Sequence, residues 1–144
     1  MNPWSQTYTE DQIDQIAGTI LQGLEASDQH ATVLALQGDL GAGKTTLTKA
    51  LAKQLGIQET VISPTFVIAK FYEPAHTFER LAHLDAYRIE DTNELVPLGW
   101  EQLVQQPKTL VIVEWPERIA DALPDHVQTF AISHEDDKRT IKKI

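Results

Sequence analysis

The segment Gly38-Asp39-Leu40-Gly41-Ala42-Gly43-Lys44-Thr45 leaves this 144-residue chain the least structural freedom. It fits G-x-x-x-x-G-K-[ST] at every fixed position, where this composition yields roughly 0.002 accidental matches. Such a loop works only between a strand and a helix. Its glycines let the backbone curl so that N–H groups converge on an anion with no side chain in the way. The helix that follows adds its positive N-terminal end. The flanks comply: Thr32–Gln37 is a short apolar run bounded by turn signals, and Leu47, Ala50, Leu51 and Leu55 recur at helical spacing until Gly56 caps the helix. Lys44 offers a mobile cation for the β- and γ-phosphates, and the Thr45 hydroxyl is a hard ligand for Mg²⁺. Asp39, Leu40, Gly41, Ala42, Gly43, Lys44, Thr45 and Thr46 are therefore the candidate nucleotide-binding residues.

The rest of the chain reads as α/β. Thr9 and Gln12 frame a capping box, and Ile13, Ile16, Ala17, Ile20, Leu21 and Leu24 predict a helix over about 10–25. Residues 66–71 read as a strand, Glu73-Pro74 as a break, and 78–84 as an antiparallel partner at a sheet edge. A helical stretch over 91–103 is interrupted at Pro97-Leu98-Gly99. Residues 109–113 form the most apolar strand, ending on Glu114-Trp115-Pro116. A further strand is expected over 127–132, and the polarised tail, acidic at 135–137 and basic from Lys138 to Lys143, can close an edge hairpin. The pattern predicts a P-loop NTPase-like three-layer fold: a mostly parallel central sheet, antiparallel edge strands and helices on both faces. By area scaling, residues 1–144 are expected to form one domain around one core.

Phosphoryl transfer also needs a carboxylate near Mg²⁺, usually at the C-terminal end of a strand beside the phosphate loop. Glu114 is the leading candidate. Asp is usual at this position, and the longer arm of Glu could act on the metal directly, through water, or on the attacking water. Asp85, in His83-Leu84-Asp85-Ala86-Tyr87-Arg88, is the second candidate and could hold a metal-bound water. Thr65, in Ser63-Pro64-Thr65-Phe66, is a hydroxyl on a rigid turn that could sense the γ-phosphate. Lys44, Thr65, Asp85 and Glu114 are thus the candidate catalytic residues, and Thr45 with Glu114 the candidate metal ligands. His83 reads as a structural or hydrogen-bonding histidine rather than a base, and Trp115 as core packing.

Charge and composition narrow the functional classes. Twelve Lys+Arg against 21 Asp+Glu give a formal net charge of −9, which repels phosphate polymers and disfavours independent nucleic-acid binding. Absence of cysteine removes disulfides, thiolate metal sites and thiol nucleophiles. No apolar run approaches the roughly 18 residues that span a bilayer, and the first residues lack the order of a secretory signal. The expectation is a cytoplasmic protein with no membrane contact. Neither Asn2 nor Asn93 begins the Asn-Lys-x-Asp motif that selects guanine. A small-molecule kinase is the enzyme alternative, but the chain offers four arginines and no evident lid. An assembly factor that holds ATP without turnover is the non-enzyme alternative.

Taken together, Gly-Asp-Leu-Gly-Ala-Gly-Lys-Thr-Thr at 38–46, Ser-Pro-Thr-Phe at 63–66, His-Leu-Asp-Ala-Tyr-Arg at 83–88 and Glu-Trp-Pro-Glu at 114–117 resemble, in order and spacing, the bacterial TsaE (YjeE-type) P-loop ATPases. The resemblance covers about residues 9–140. It implies a small ATPase required for threonylcarbamoyl modification of adenosine 37 in tRNAs that read codons starting with A. Its partners would be TsaB and TsaD, with TsaD transferring the group and ATP hydrolysis keeping the complex cycling. The resemblance implies ATP and Mg²⁺ as cofactors, with Lys44 and Thr45 in the phosphate and Mg²⁺ roles and Glu114 as the second Mg²⁺ ligand. Asp85 and Thr65 would lie in a partner-responsive part of the site, and Trp115 beside the nucleotide or a partner. Further nucleotide contacts would come from near Glu10–Gln12 and from Lys138 and Arg139, of which Arg139 is the candidate. tRNA would be met through the complex, with any direct contact on the Lys138–Lys143 patch. Hydrolysis by the chain alone is expected to be slow, no arginine being evidently placed to complete the site.

Overall fold

In the computed structural model, residues 4–39, 43–57, 69–74 and 76–144 are described. They form one seven-stranded sheet with helices on both faces. The strands are β1 (Ser5–Thr9), β2 (Thr32–Gln37), β3 (Ala69–Tyr72), β4 (Arg80–Asp85), β5 (Thr109–Glu114), β6 (Gln128–Glu135) and β7 (Lys138–Lys143), and the α-helices are α1 (Ile13–Gln22), α2 (Lys44–Gln54) and α3 (Trp100–Val104). The strand order is β1-β7-β6-β2-β5-β4-β3. Pairings β6/β2, β2/β5 and β5/β4 are parallel, whereas β1/β7, β7/β6 and β4/β3 are antiparallel. The mostly parallel centre with antiparallel edges agrees with the sequence reading.

Local chemistry explains each deviation from that reading. The helix expected over 10–25 is a 3-10 turn, Glu10–Gln12, followed by the shorter α1. The capping box forms at Thr9, and the amide of Gly23 already bonds back to the Ile20 carbonyl. Strand β1 was not foreseen. Four of its five residues are polar and only Tyr8 is buried, so it carries no alternation signal and owes its form to pairing with β7. The stretch 91–103 divides into a 3-10 helix, Thr92–Leu98, and α3, separated by Gly99 at φ 72°. A third 3-10 segment, Pro116–Ala122, follows β5, and the sequence does not announce it. Of the strand expected over 66–71, residues 66–68 lie outside the described residues.

Alternation along the parallel strands sorts the core into two layers. Leu34, Leu36, Leu81, Leu110 and Ile112 face α1 and α2, where Ile16, Ile20, Leu47 and Leu51 meet them. Val33, Ala82, Leu84, Val111 and Val113 face the other side, against Ile89, Leu95, Trp100 and Ile119. Each such side chain contributes about 1.5–3 kcal/mol of burial, which fixes which face every later residue of the same strand must share. Glu114 shares the parity of Leu110 and Ile112, so it points toward α2 although it is a carboxylate.

Candidate functional site

The carboxyl ends of β2, β4 and β5 lie level, Glu114 pairing with Leu36 on one side and Asp85 on the other. In parallel α/β sheets the crevice outside these ends is where ligands bind. The chain leaves β2 through Gly38 and Asp39, and Gly43 is the residue before α2. Gly43 sits at φ 105°, a conformation that a side chain disfavours, and Lys44 and Thr45 occupy the first turn of the helix. Their backbone amides therefore stand at the positive end of an 11-residue helix.

Glu114 is buried, 3% exposed, and both of its oxygens are engaged. The Thr45 hydroxyl donates to Oε1 at 3.0 Å and, less closely, to Oε2 at 3.3 Å. His83 Nε2 lies 2.5 Å from Oε2. Lys44 is also buried; its ammonium donates to the Gly38 carbonyl and lies 3.7 Å from the centroid of the Trp115 ring. Burial pushes the Lys44 pKa below the usual lysine value, opposed by the negative charges of Glu114, Glu117, Asp85 and Asp39. Trp115 takes a left-handed backbone at φ 60°, a strained conformation for a bulky residue, and this turn at the end of β5 sets its ring beneath Lys44. Tyr87 packs on the same ring with centroids 5.0 Å apart, and Arg118 lies over Tyr87.

The hairpin β6–β7 brings the chain's last strand to the same place. A Cβ on Gly43 would stand 2.9 Å from Arg139 Nε and 3.1 Å from its Cδ. Arg139, the candidate contact from the C-terminal hairpin, is thus packed against the residue that opens α2. Its Nε is buried with no hydrogen-bond partner among the described residues. Arg139 pairs across the sheet with Tyr8, whose pKa burial raises and the arginine charge lowers.

Of the sequence-selected residues, Gly43, Lys44, Thr45, Glu114 and Arg139 come together. Thr46 is half-buried on the first turn of α2, and Asp39 is exposed. Asp85 ends β4 level with Glu114 and accepts a bond from the Tyr87 amide at 3.0 Å. Leu40, Gly41, Ala42 and Thr65 lie outside the described residues. Glu10–Gln12 form the exposed 3-10 turn directly after β1. Two contacts were not read from sequence: His83 to Glu114 and Trp115 to Lys44. The first had a signal, since His83 shares the inward parity of Leu81 and a polar group there demands a partner. The second depends on the left-handed turn, which the sequence does not announce.

The donor set fits a divalent cation. Thr45 Oγ1 and Glu114 Oε1 are hard oxygens 3.0 Å apart, the spacing of two adjacent ligands on an octahedral Mg²⁺ with bonds of about 2.1 Å. Among the described residues no group of three or more His, Cys, Asp or Glu could hold a metal by itself. The remaining ligands would thus come from water and a bound phosphate, the habit of Mg²⁺.

Known proteins resemble this chain in sequence and in fold. The family model "Threonylcarbamoyl adenosine biosynthesis protein TsaE" matches residues 7–142. The tRNA threonylcarbamoyladenosine biosynthesis protein TsaE of Bacillus subtilis is 43% identical over 110 residues, covering 76% of this chain and 66% of that protein. Its namesake from Treponema pallidum is 38% identical over 104 residues, covering 72% of this chain and 74% of the relative. The crystal structure of Bacillus subtilis YdiB superposes with a TM-score of 0.74 at 28% identity, covering 99% of this chain and 86% of that one.

Proposed function

Because the chain belongs to the TsaE family of threonylcarbamoyl adenosine biosynthesis proteins, we propose that it binds and hydrolyses ATP as an accessory protein in forming that modification at adenosine 37 of tRNA. Its partners in this reading are TsaB and TsaD, and its place of work is the cytoplasm. No described helix is long and apolar enough to cross a membrane. One observation carries the enzymatic part of the proposal: a buried carboxylate, Glu114, hydrogen-bonded to the hydroxyl that follows the loop lysine.

In this reading Lys44 leaves the Gly38 carbonyl and the Trp115 face to meet the β- and γ-phosphates. The α2 amides hold the anion, and Arg139, packed on Gly43, lines the same opening. Thr45 and Glu114 would hold Mg²⁺, which neutralises charge developing on the phosphates when bound. Glu114 would also orient the attacking water, with Asp85 beside it across the strand pair. Lys44 and Thr45 already have partners within the chain, so binding exchanges satisfied contacts rather than filling a preorganised site. Slow turnover by the chain alone follows, with the partners supplying the missing organisation.

Measuring phosphate release by the chain alone, and then with purified TsaB and TsaD, tests the proposal. Slow release that rises several-fold with the partners supports it. Phosphate transferred to a small acceptor would replace it with a kinase reading, and tight ATP binding without turnover in either condition with a switch.

A further inference from the structure

We infer that His83 is a positioning residue for Glu114, holding that carboxylate in the orientation in which it meets Thr45 and a divalent cation; the inference rests on the function proposed above. His83 is fully buried, on the α2-facing side of β4, in a row whose other inward positions are Leu81 and Asp85. An imidazole among Leu81, Leu110 and Ile112 costs desolvation energy that packing alone does not recover. Among the described residues its one polar contact is Nε2 to Glu114 Oε2 at 2.5 Å, and Nδ1 is buried without a partner. Those two facts assign the tautomer. A hydrogen on Nδ1 would be an unpaired buried donor, whereas a hydrogen on Nε2 points at a carboxylate oxygen. His83 therefore donates through Nε2.

That donation divides the work of the two carboxylate oxygens. Oε2 is held from below by the sheet, and Oε1 is left to the Thr45 hydroxyl, 3.0 Å away at the mouth of the site. Glu114 ends its strand and is joined to Trp115 in a strained turn, so its own backbone is a poor guide for a three-bond side chain. When Thr45 turns from Glu114 toward a cation, the contacts from its hydroxyl to Oε1 and Oε2 are exchanged. The bond from His83 is the one that persists. Hydrogen bonds of this outer kind typically change metal affinity or activity 10–100-fold when lost.

The experiment compares His83→Gln, whose amide N–H reaches the Nε2 position, with His83→Leu, which keeps volume but has no donor. His83→Asn, with its amide at the Nδ1 position and too short for Glu114, is the third variant. Calorimetry measures ATP binding with and without Mg²⁺, and turnover is followed across a Mg²⁺ titration. The expected result is that His83→Leu and His83→Asn weaken Mg²⁺-dependent binding and raise the Mg²⁺ needed for half-maximal turnover about 10–100-fold, while affinity for metal-free ATP is kept. His83→Gln should stay close to the parent. Should His83→Leu fail to fold, the contrast between His83→Asn and His83→Gln decides. Equal behaviour of Gln and Asn, or parental Mg²⁺ dependence in a folded His83→Leu, overturns the assignment while leaving the proposed function intact. A parent protein with no Mg²⁺-dependent ATP binding overturns both.

Discussion

At the scale of single residues, Lys44 carries the most consequence because two opposed demands meet on one ammonium. Burial lowers its pKa, and four surrounding carboxylates resist without cancelling the effect. Between the lowered value and the ordinary 10.5, an unfolded chain binds a proton that the folded one does not, so this group makes stability rise with pH across that window. Phosphate binding has the opposite sign, since it needs the charged form. Affinity for Mg-ATP should therefore fall as pH climbs toward the ordinary 10.5, earlier than an unperturbed lysine would dictate. Calorimetry across that range checks it, with Lys44→Ala as the control: weak throughout and flat with pH. Gly43 yields a second expectation. Gly43→Ala would force a side chain into φ 105° and bring its Cβ to 2.9 Å from Arg139 Nε. The arginine can swing aside but the backbone cannot, so a stability loss of about 1–3 kcal/mol in chemical denaturation should accompany weaker nucleotide binding.

At the scale of elements, the legible parts of the sequence were those that bury their own side chains. Thr32–Gln37 and Thr109–Glu114 declare themselves as continuous apolar runs, and α2 by its spacing and preceding loop. Strand β1 does not, because Ser5, Gln6, Thr7 and Thr9 are polar and its order is borrowed from β7. The site divides the same way. Lys44 and Thr45 follow from a motif and Glu114 from its place at a strand end, but the bond from His83 depends on the register of β4 against β5. The Arg139 contact depends on a hairpin folding back across 96 positions of sequence. If β7 serves to deliver Arg139, loosening it should damage binding as well as stability. Ile141 and Leu95 are both fully or almost fully buried, Ile141 on β7 two residues from Arg139 and Leu95 in the layer on the far side of the sheet. Truncating either to alanine should cost about 2–5 kcal/mol by denaturant titration. Only Ile141→Ala should also weaken Mg-ATP binding measured well below its unfolding transition; equal affinity in the two variants would detach β7 from the site.

For the molecule as a whole, charge decides which contacts the protein can make by itself. The chain carries a formal −9, yet Lys138, Lys142 and Lys143 are exposed on one strand, and Arg139 is drawn inward to Gly43. The inward turn matters, because the arginine that would best grip a phosphate backbone is packed against Gly43 at the start of α2. Lys138 and Lys142 share one face of the strand and Lys143 lies on the other, so the positive charge is sparse in a field of opposite sign, and neutralising a few phosphates gives only micromolar or weaker, strongly salt-dependent affinity. Fluorescence anisotropy with the chain alone should accordingly find tRNA binding no tighter than about 10⁻⁶–10⁻⁴ M at physiological salt. Reversing Lys142 and Lys143 to glutamate should abolish that residue of binding and leave ATP turnover by the chain alone unchanged, since both lie at the end of β7 away from Arg139. If instead the double reversal lowered turnover only when TsaB, TsaD and tRNA were present, the patch would be a contact made within the assembly. The acidic remainder of the surface would then serve to keep the protein from holding tRNA outside it.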